Sequence, residues 1–207
     1  SIDAIVATHP DADHIAGLIP VLARYDVSHV YSNGSIATTK IDEAFRSASE
    51  AEGAQIHHVG ENDAFVYGDV VFDVIWPERP LTGEVLKNRN DPSVVILLSY
   101  EGATMLLTGD AEESETEFAK YAGDVDVLKV GHHGSASSSA EAFLNAVTPE
   151  IAVISSGEDN SFGHPHPVVV DRLYRRGIEI FRTDLDGDIL LETTGGSWEV
   201  IPAPLPF

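Results

Sequence analysis

The chain has 207 residues, 43% of them hydrophobic, which suits one globular domain with a real core and excludes a disordered segment. It has no cysteine, so disulfides and thiolate metal ligands are excluded; no apolar run approaches a membrane span, and no signal-peptide pattern opens the chain. Lys and Arg number 12 against 34 Asp and Glu, for a formal net charge of −22. Such a field disfavours nucleic acid held at ordinary salt by a basic surface. It suits concentrated salt, where screening acts over a few Å, and a basic partner is the alternative reading. Metal ions in a cleft can reverse the sign locally.

Strand-like and helix-like segments alternate along the chain. An apolar run over 2–8 predicts a buried strand, and apolar spacing over 14–25 predicts one helix. A short strand follows at 28–32, a helix at 40–53 ended by Gly53, and strands at 55–59 and 70–76. Residues 77–92 are polar and turn-rich, a loop. Two apolar runs flank Glu101-Gly102, a hairpin signal. Then come an acidic-started helix at 111–123, a strand at 126–131, a helix at 138–147, a strand at 150–156 and a helix at 167–177. Three strands close the chain, and "DLDGD" at 184–188 reads as a turn between two of them. The pattern is α/β, mixed sheets with helices outside.

Four polar clusters each follow a strand: "THPDADH", "TGDAE", "KVGHHGS" and "GEDNSFGHPHP". Strand ends are where sites gather in α/β folds. His9, Asp11, Asp13 and His14 fall within six positions, and imidazole with carboxylate suits hard or borderline divalent metals. In an extended loop they cannot all face one ion; over a tight turn they can serve two.

"THPDADH" resembles the metallo-β-lactamase superfamily motif HxHxDH, with Asp11 at the second His position, and "LLTGDAE" resembles that superfamily's bridging-aspartate strand end. "LKVGHHGS" and "FGHPHP" narrow the likeness to the nuclease-like domain of ComEC-type DNA-internalisation (competence) proteins and their stand-alone relatives. The resemblance implies an αββα sandwich over a single domain, 1–207, lacking the superfamily's N-terminal strands. It implies two divalent ions, Mn²⁺ or Zn²⁺ with Mg²⁺ as a further choice. His9 and Asp11 would bind the first and Asp13 and His14 the second. Asp110 would bridge them, and His132 or His133, by preference His132, would complete the second site. Asp13 and His164 are the candidate catalytic residues, with Ser135 or Asn160 as further phosphate donors. The superfamily's intermediate His is missing: "NRNDPSVV" has none, which leaves Asn90, Asp91 or water to take its place. An oxygen-rich first site shifts preference toward Mn²⁺ or Mg²⁺.

The implied reaction is phosphodiester hydrolysis of DNA by a metal-activated hydroxide. The rivals are a hydrolase of another ester, amide or thioester, and a non-catalytic regulatory module that has kept the fold. A ComEC-like protein would act at the exterior face of a membrane, with a membrane protein or a missing N-terminal segment as partner. His29, His57 and His58 read as strand histidines, and His166, between prolines before a helix, as structural. Asp110 also reads as a helix N-cap.

Overall fold

In the computed structural model, residues 1–201 are described, and the chain divides into two compact units. The first is Ser1–Asp63 with Val74–Val95; the second is Ala64–Asp73 with the chain from Ile96 onward. The final positions of the expected domain, 202–207, lie outside the described residues. Among the described residues no helix is long and apolar enough to cross a membrane.

The first unit is a βαβαβ arrangement. Strands β1 (Ile2–Ala7), β2 (Val27–Ser32) and β3 (Gln55–His58) form a parallel sheet in that order. One expected helix between β1 and β2 is instead two, α1 (Ala12–Ile15) and α2 (Leu18–Leu22). The break has a local cause: Pro20 has no N–H for the carbonyl of Ala16, and its ring would clash with that carbonyl in a continuous helix. Helix α3 (Lys40–Glu52) starts and stops where the sequence signals it. Thr39 Oγ1 accepts from the Asp42 amide at 3.2 Å, and Gly53 closes the helix in the left-handed region at φ 79°. Ile5, Ala7, Ile15, Leu22, Val27, Val30 and Phe45 bury one sheet face under these helices.

The second unit is built on a seven-stranded sheet ordered β10-β9-β8-β7-β6-β5-β4. Its strands are β4 (Ala64–Tyr67), β5 (Val70–Trp76, which runs on into the first unit), β6 (Val95–Tyr100), β7 (Ala103–Leu107), β8 (Val127–Lys129), β9 (Ile151–Ile154) and β10 (Glu179–Arg182). Strand β4 is absent from the sequence reading, yet it is the partner of β5 in a hairpin. The signal was Gly68-Asp69 between two alternating aromatic and β-branched runs. The hairpin of β6 and β7 turns at Glu101 and Gly102, both at positive φ, as expected. From β7 to β10 pairing is parallel, with α4 (Glu115–Ala122), α5 (Glu141–Val147) and α6 (Pro167–Arg175) as crossovers. Phe118, Phe143, Leu144 and Leu173 from these helices are buried with Leu106, Leu128 and Ile154 of the sheet. The expected turn at 184–188 begins within one helical turn, α7 (Thr183–Asp186), ahead of the hairpin of β11 (Leu190–Thr193) and β12 (Trp198–Ile201).

Parallel pairing has one consequence for chemistry. The carboxyl ends of β7, β8 and β9 lie along the same sheet edge, so the segments carrying Asp110, His132 and His133, and His164 begin there together.

Candidate metal centre

In the first unit the ligand-type residues sit where β1 turns into α1. His9 is 1% exposed. Its Nδ1 lies 3.1 Å from Ser93 Oγ, and that hydroxyl donates to the Asn90 carbonyl at 2.6 Å. The Ser93 hydrogen is therefore engaged, so Oγ accepts from His9 Nδ1–H and Nε2 is the lone-pair nitrogen. Nε2 lies 3.9 Å from Asp11 Oδ2. Thr8 Oγ1 approaches both His9 Nδ1, at 3.1 Å, and His14 Nδ1, at 3.3 Å, and the two imidazole rings are 4.2 Å apart. His14 Nε2 is 3.8 Å from Asp13 Oδ2.

Asp11 occupies the N-cap position of α1 but makes no capping bond. Its Oδ1 accepts instead from Arg89 Nε at 2.5 Å. The histidine-free segment "NRNDPSVV" thus acts through other groups. Arg89 holds Asp11, Ser93 holds His9, and the Val94 amide donates to the Thr8 carbonyl at 2.9 Å, which pins the segment to the end of β1. A guanidinium on one oxygen neutralises part of the charge that Asp11 offers a cation.

In the second unit Asp110 is buried after β7. It is no helix cap: α4 begins only at Glu115, with Ser114 at the N-cap position. The shortening follows from Glu112, whose carboxylate accepts from His132 Nδ1 at 2.9 Å and from Ser137 Oγ at 2.5 Å. The His132 bond, with Ser137 adding to it, holds Glu112 below the usual carboxylate range.

His132 and His133 both adopt left-handed backbone, at φ 43° and 52°, a costly conformation for two successive non-glycine residues. The flanking glycines allow it. A Cβ on Gly131 would meet the Ala111 carbonyl oxygen at 2.6 Å, and Gly134, at φ +79°, would bring a Cβ to 2.7 Å from Pro165 Cβ. The result places both Nε2 atoms near one carboxylate oxygen. His133 Nε2 is 3.6 Å and His132 Nε2 3.9 Å from Asp110 Oδ2. His133 Nδ1 donates to the Ser155 carbonyl at 2.7 Å, which leaves its Nε2 as the ligand nitrogen. The preference for His132 is not what this geometry favours: His133 is nearer Asp110, and His132 is the partner of Glu112.

The His164 ring lies 5.6 Å from that of His132, and the exposed Phe162 ring 6.0 Å from His164. Burial first, then the neighbouring His132 and His133, lower the His164 pKa and favour its neutral form. Asn160 is not free to bind phosphate as expected. Its Oδ1 accepts from the His164 amide at 3.0 Å and its Nδ2 donates to the His164 carbonyl, so it positions that loop. Ser135 Oγ lies 2.9 Å from Ser137 Oγ.

Two ionisable side chains escaped the sequence reading. Lys129 Nζ donates to the carbonyls of Gly109 and Val130, at 3.0 and 3.3 Å, beneath the Asp110 and His132 turns. Burial lowers its pKa, and Asp110 opposes the shift. Glu115 accepts from the Ser139 and Ala140 amides at 2.7 and 3.0 Å, and burial pushes its pKa up to about 8. A lone Lys in the apolar strand "DVLKVG" was the one available signal for the first.

The strand-end histidines and carboxylates mark an α/β protein with a candidate metal site. The sequence profile of the metallo-beta-lactamase superfamily matches residues 1–158, and the chain belongs to that superfamily. Its sheets are those of the αββα sandwich. It is 35% identical over 191 residues to ComE operon protein 3 of Bacillus subtilis, covering 91% of this chain and 24% of that protein. It is 35% identical over 192 residues to competence protein ComA of Neisseria gonorrhoeae, covering 90% and 24%. The chain thus spans about a quarter of the length of these relatives. Among solved structures, Zn²⁺-bound PqqB from Methylobacterium extorquens shares the fold, with a TM-score of 0.55, 13% identity, and 87% of this chain and 71% of that one covered.

His29, His57 and His166 are engaged by neighbours within the fold. His57 Nε2 lies 3.0 Å from His29 Nδ1, and its ring stacks on Tyr31 at 4.7 Å. His166 caps α6, its Nδ1 accepting from the Val168 amide at 3.3 Å.

Proposed function

We propose that the chain is a metal-dependent phosphodiesterase acting on DNA that uses two divalent ions. The observation that carries this is the setting of the imidazoles. His9 and His133 each donate Nδ1–H to an oxygen and keep Nε2 beside a carboxylate. A module that had lost its metals would have no use for two pre-oriented histidines, one of them on strained backbone. The donor set of imidazole and carboxylate without thiolate fits such ions. On the superfamily pattern, His9, Asp11, Asp13 and His14 of the first unit and Asp110 and His133 of the second are the residues that would hold the ions. When bound, the ions supply an activated water and charge stabilisation at phosphorus.

The chain's own residues do the rest. His164, neutral near pH 7, offers an N–H donor to a phosphate or a leaving oxygen, and His132, whose Nδ1–H is held by Glu112, stands beside it. Asn160 keeps His164 in place, and exposed Phe162 beside it offers a face on which a base can stack. The names of the relatives, one of them a competence protein, support DNA as the substrate. On the ComEC pattern the protein works at the exterior face of a membrane.

The test is hydrolysis of linear DNA and of an activated phosphodiester, beside ester and thioester substrates, with metal content measured in parallel. Phosphodiester turnover without acyl turnover is the expected result; acyl turnover alone would replace this reading. Mn²⁺ should support more activity than Zn²⁺, and the ion at His9 and Asp11 should leave first, because Arg89 already neutralises Asp11. Two equally tight Zn²⁺ ions would contradict that order. The charge adds a second expectation. With few Lys and Arg to release counterions from DNA, the initial rate at fixed Mn²⁺ should hold or rise from about 0.1 to 1 M salt. A steep fall would mean that a basic surface or partner carries the binding.

A further inference from the structure

The first unit contains a cavity of about 420 Å³ that the ligand set does not use. It opens at the carboxyl ends of all three parallel strands: Ala7, Ser32 and His58, the last residues of β1, β2 and β3, line it. That is where open α/β sheets bind ligands. His9 and Pro10 form part of its wall, so it adjoins the ligand cluster of the same unit.

We propose that this cavity is a nucleobase pocket, which takes an unstacked base of the DNA strand; this rests on the reading of DNA as substrate. Size is the first argument. The volume falls in the range of small-molecule sites, about 300–1,000 Å³, and admits a base with its sugar. The second is the wall, which Ile15, Val30 and Phe45 make apolar from within and Ile56 from the exposed side. The polar side chains set among them are engaged internally. Asn33 Oδ1 accepts from the Ser35 amide and hydroxyl, Asn33 Nδ2 donates to the Pro92 carbonyl, and Ser49 donates to the Phe45 carbonyl. Such walls favour a flat, largely apolar ligand over a phosphate.

The third argument is the set of polar groups left over. Arg46 donates Nε–H to Asp42 at 3.0 Å, and its Nη groups make no hydrogen bond among the described residues. Glu50 adds a carboxylate acceptor, and His58, whose Nδ1 meets Thr82 Oγ1 at 2.8 Å, presents Nε2. Donor, acceptor and imidazole together match the mixed amino and carbonyl edge of a base. The fourth is charge. A chain at −22 gains little from phosphates, whereas a buried base contributes without any phosphate contact. The pocket thus gives an acidic protein a hold on DNA that salt does not weaken.

The experiment is binding to the whole chain with chelator present, so that no turnover is involved. The four deoxynucleosides, deoxyribose 5-phosphate and inorganic phosphate are each titrated and followed by NMR at 0.1 and 1 M salt. Expected is saturable binding of at least one nucleoside with shifts at α3 and the strand ends, equal at both salts. Ile56→Trp, at a residue 45% exposed, should fill the mouth and abolish it. Arg46→Met should weaken it about tenfold, the value of one charged hydrogen bond. Binding of deoxyribose 5-phosphate or phosphate in place of nucleosides would overturn the proposal, as would no nucleoside binding, or binding unaffected by either folded variant. Failure of the nuclease reading is seen separately, in whether the parent with Mn²⁺ hydrolyses a base-free activated phosphodiester.

Discussion

Replacement of Asp110 by Ala is expected to lower DNA hydrolysis on the order of 10³-fold or more, while His57→Ala leaves it near the parent rate. Asp110 is the carboxylate that both His132 and His133 approach, and Lys129 donates to the carbonyl of the preceding Gly109. On the reading proposed above, loss of Asp110 would remove a ligand common to both ions, and with it the activated water and charge stabilisation they would supply. His57 is partnered with His29 and Tyr31 on the parallel sheet of the other unit and plays no part in the proposed chemistry. Asp110→Asn, which keeps the shape, separates loss of charge from loss of packing. The measurements are initial rate, bound metal and urea unfolding for each variant. Equal loss of rate in folded Asp110→Ala and His57→Ala would place the chemistry elsewhere.

A second large effect is expected from Glu115. Its pKa in the fold, about 8, lies above the ordinary 4.5, because burial outweighs the two amide donors at Ser139 and Ala140. Folding therefore favours the protonated form. The stability this contributes is complete below about pH 4.5 and is lost as pH rises through 8. The full difference corresponds to at most about 5 kcal/mol. Urea unfolding between pH 5 and 9 should show the parent losing stability relative to Glu115→Gln, whose amide does not titrate. Gln can accept from only one of the two amides, so the variant should start lower and lose less. Parallel curves for the two proteins would show that Glu115 ionises freely in the fold.

Much of the site was legible because its residues follow strands, and strands declare themselves locally. The runs before His9, Asp110 and His132 have the apolar character of buried β-structure, and each cluster begins where that character stops. The caps of α3 and the hairpin at Glu101-Gly102 are equally local, since the groups that form them lie within a few residues of one another. Family membership could be read from the same short motifs. The break between α1 and α2 was also within reach, because Pro20 alone accounts for it.

What the sequence by itself determined, then, is which chemical groups stand at the strand ends and the class of fold that carries them. Their orientation was decided only by tertiary structure. Arg89 reaches Asp11 across 78 positions and Ser93 reaches His9 across 84, and no periodicity links residues so far apart. Glu112 looked like the first turn of a helix and became the brace of His132, because a hydrogen bond to imidazole there replaced one more turn of α4. His132 and His133 could not be ranked in "GHHG", since their places depend on left-handed backbone that Gly131 and Gly134 allow only by fitting against Ala111 and Pro165. Local propensity sets where elements begin and end. The direction in which a side chain points, and the charge state it keeps, depend on contacts that exist only once distant segments have packed.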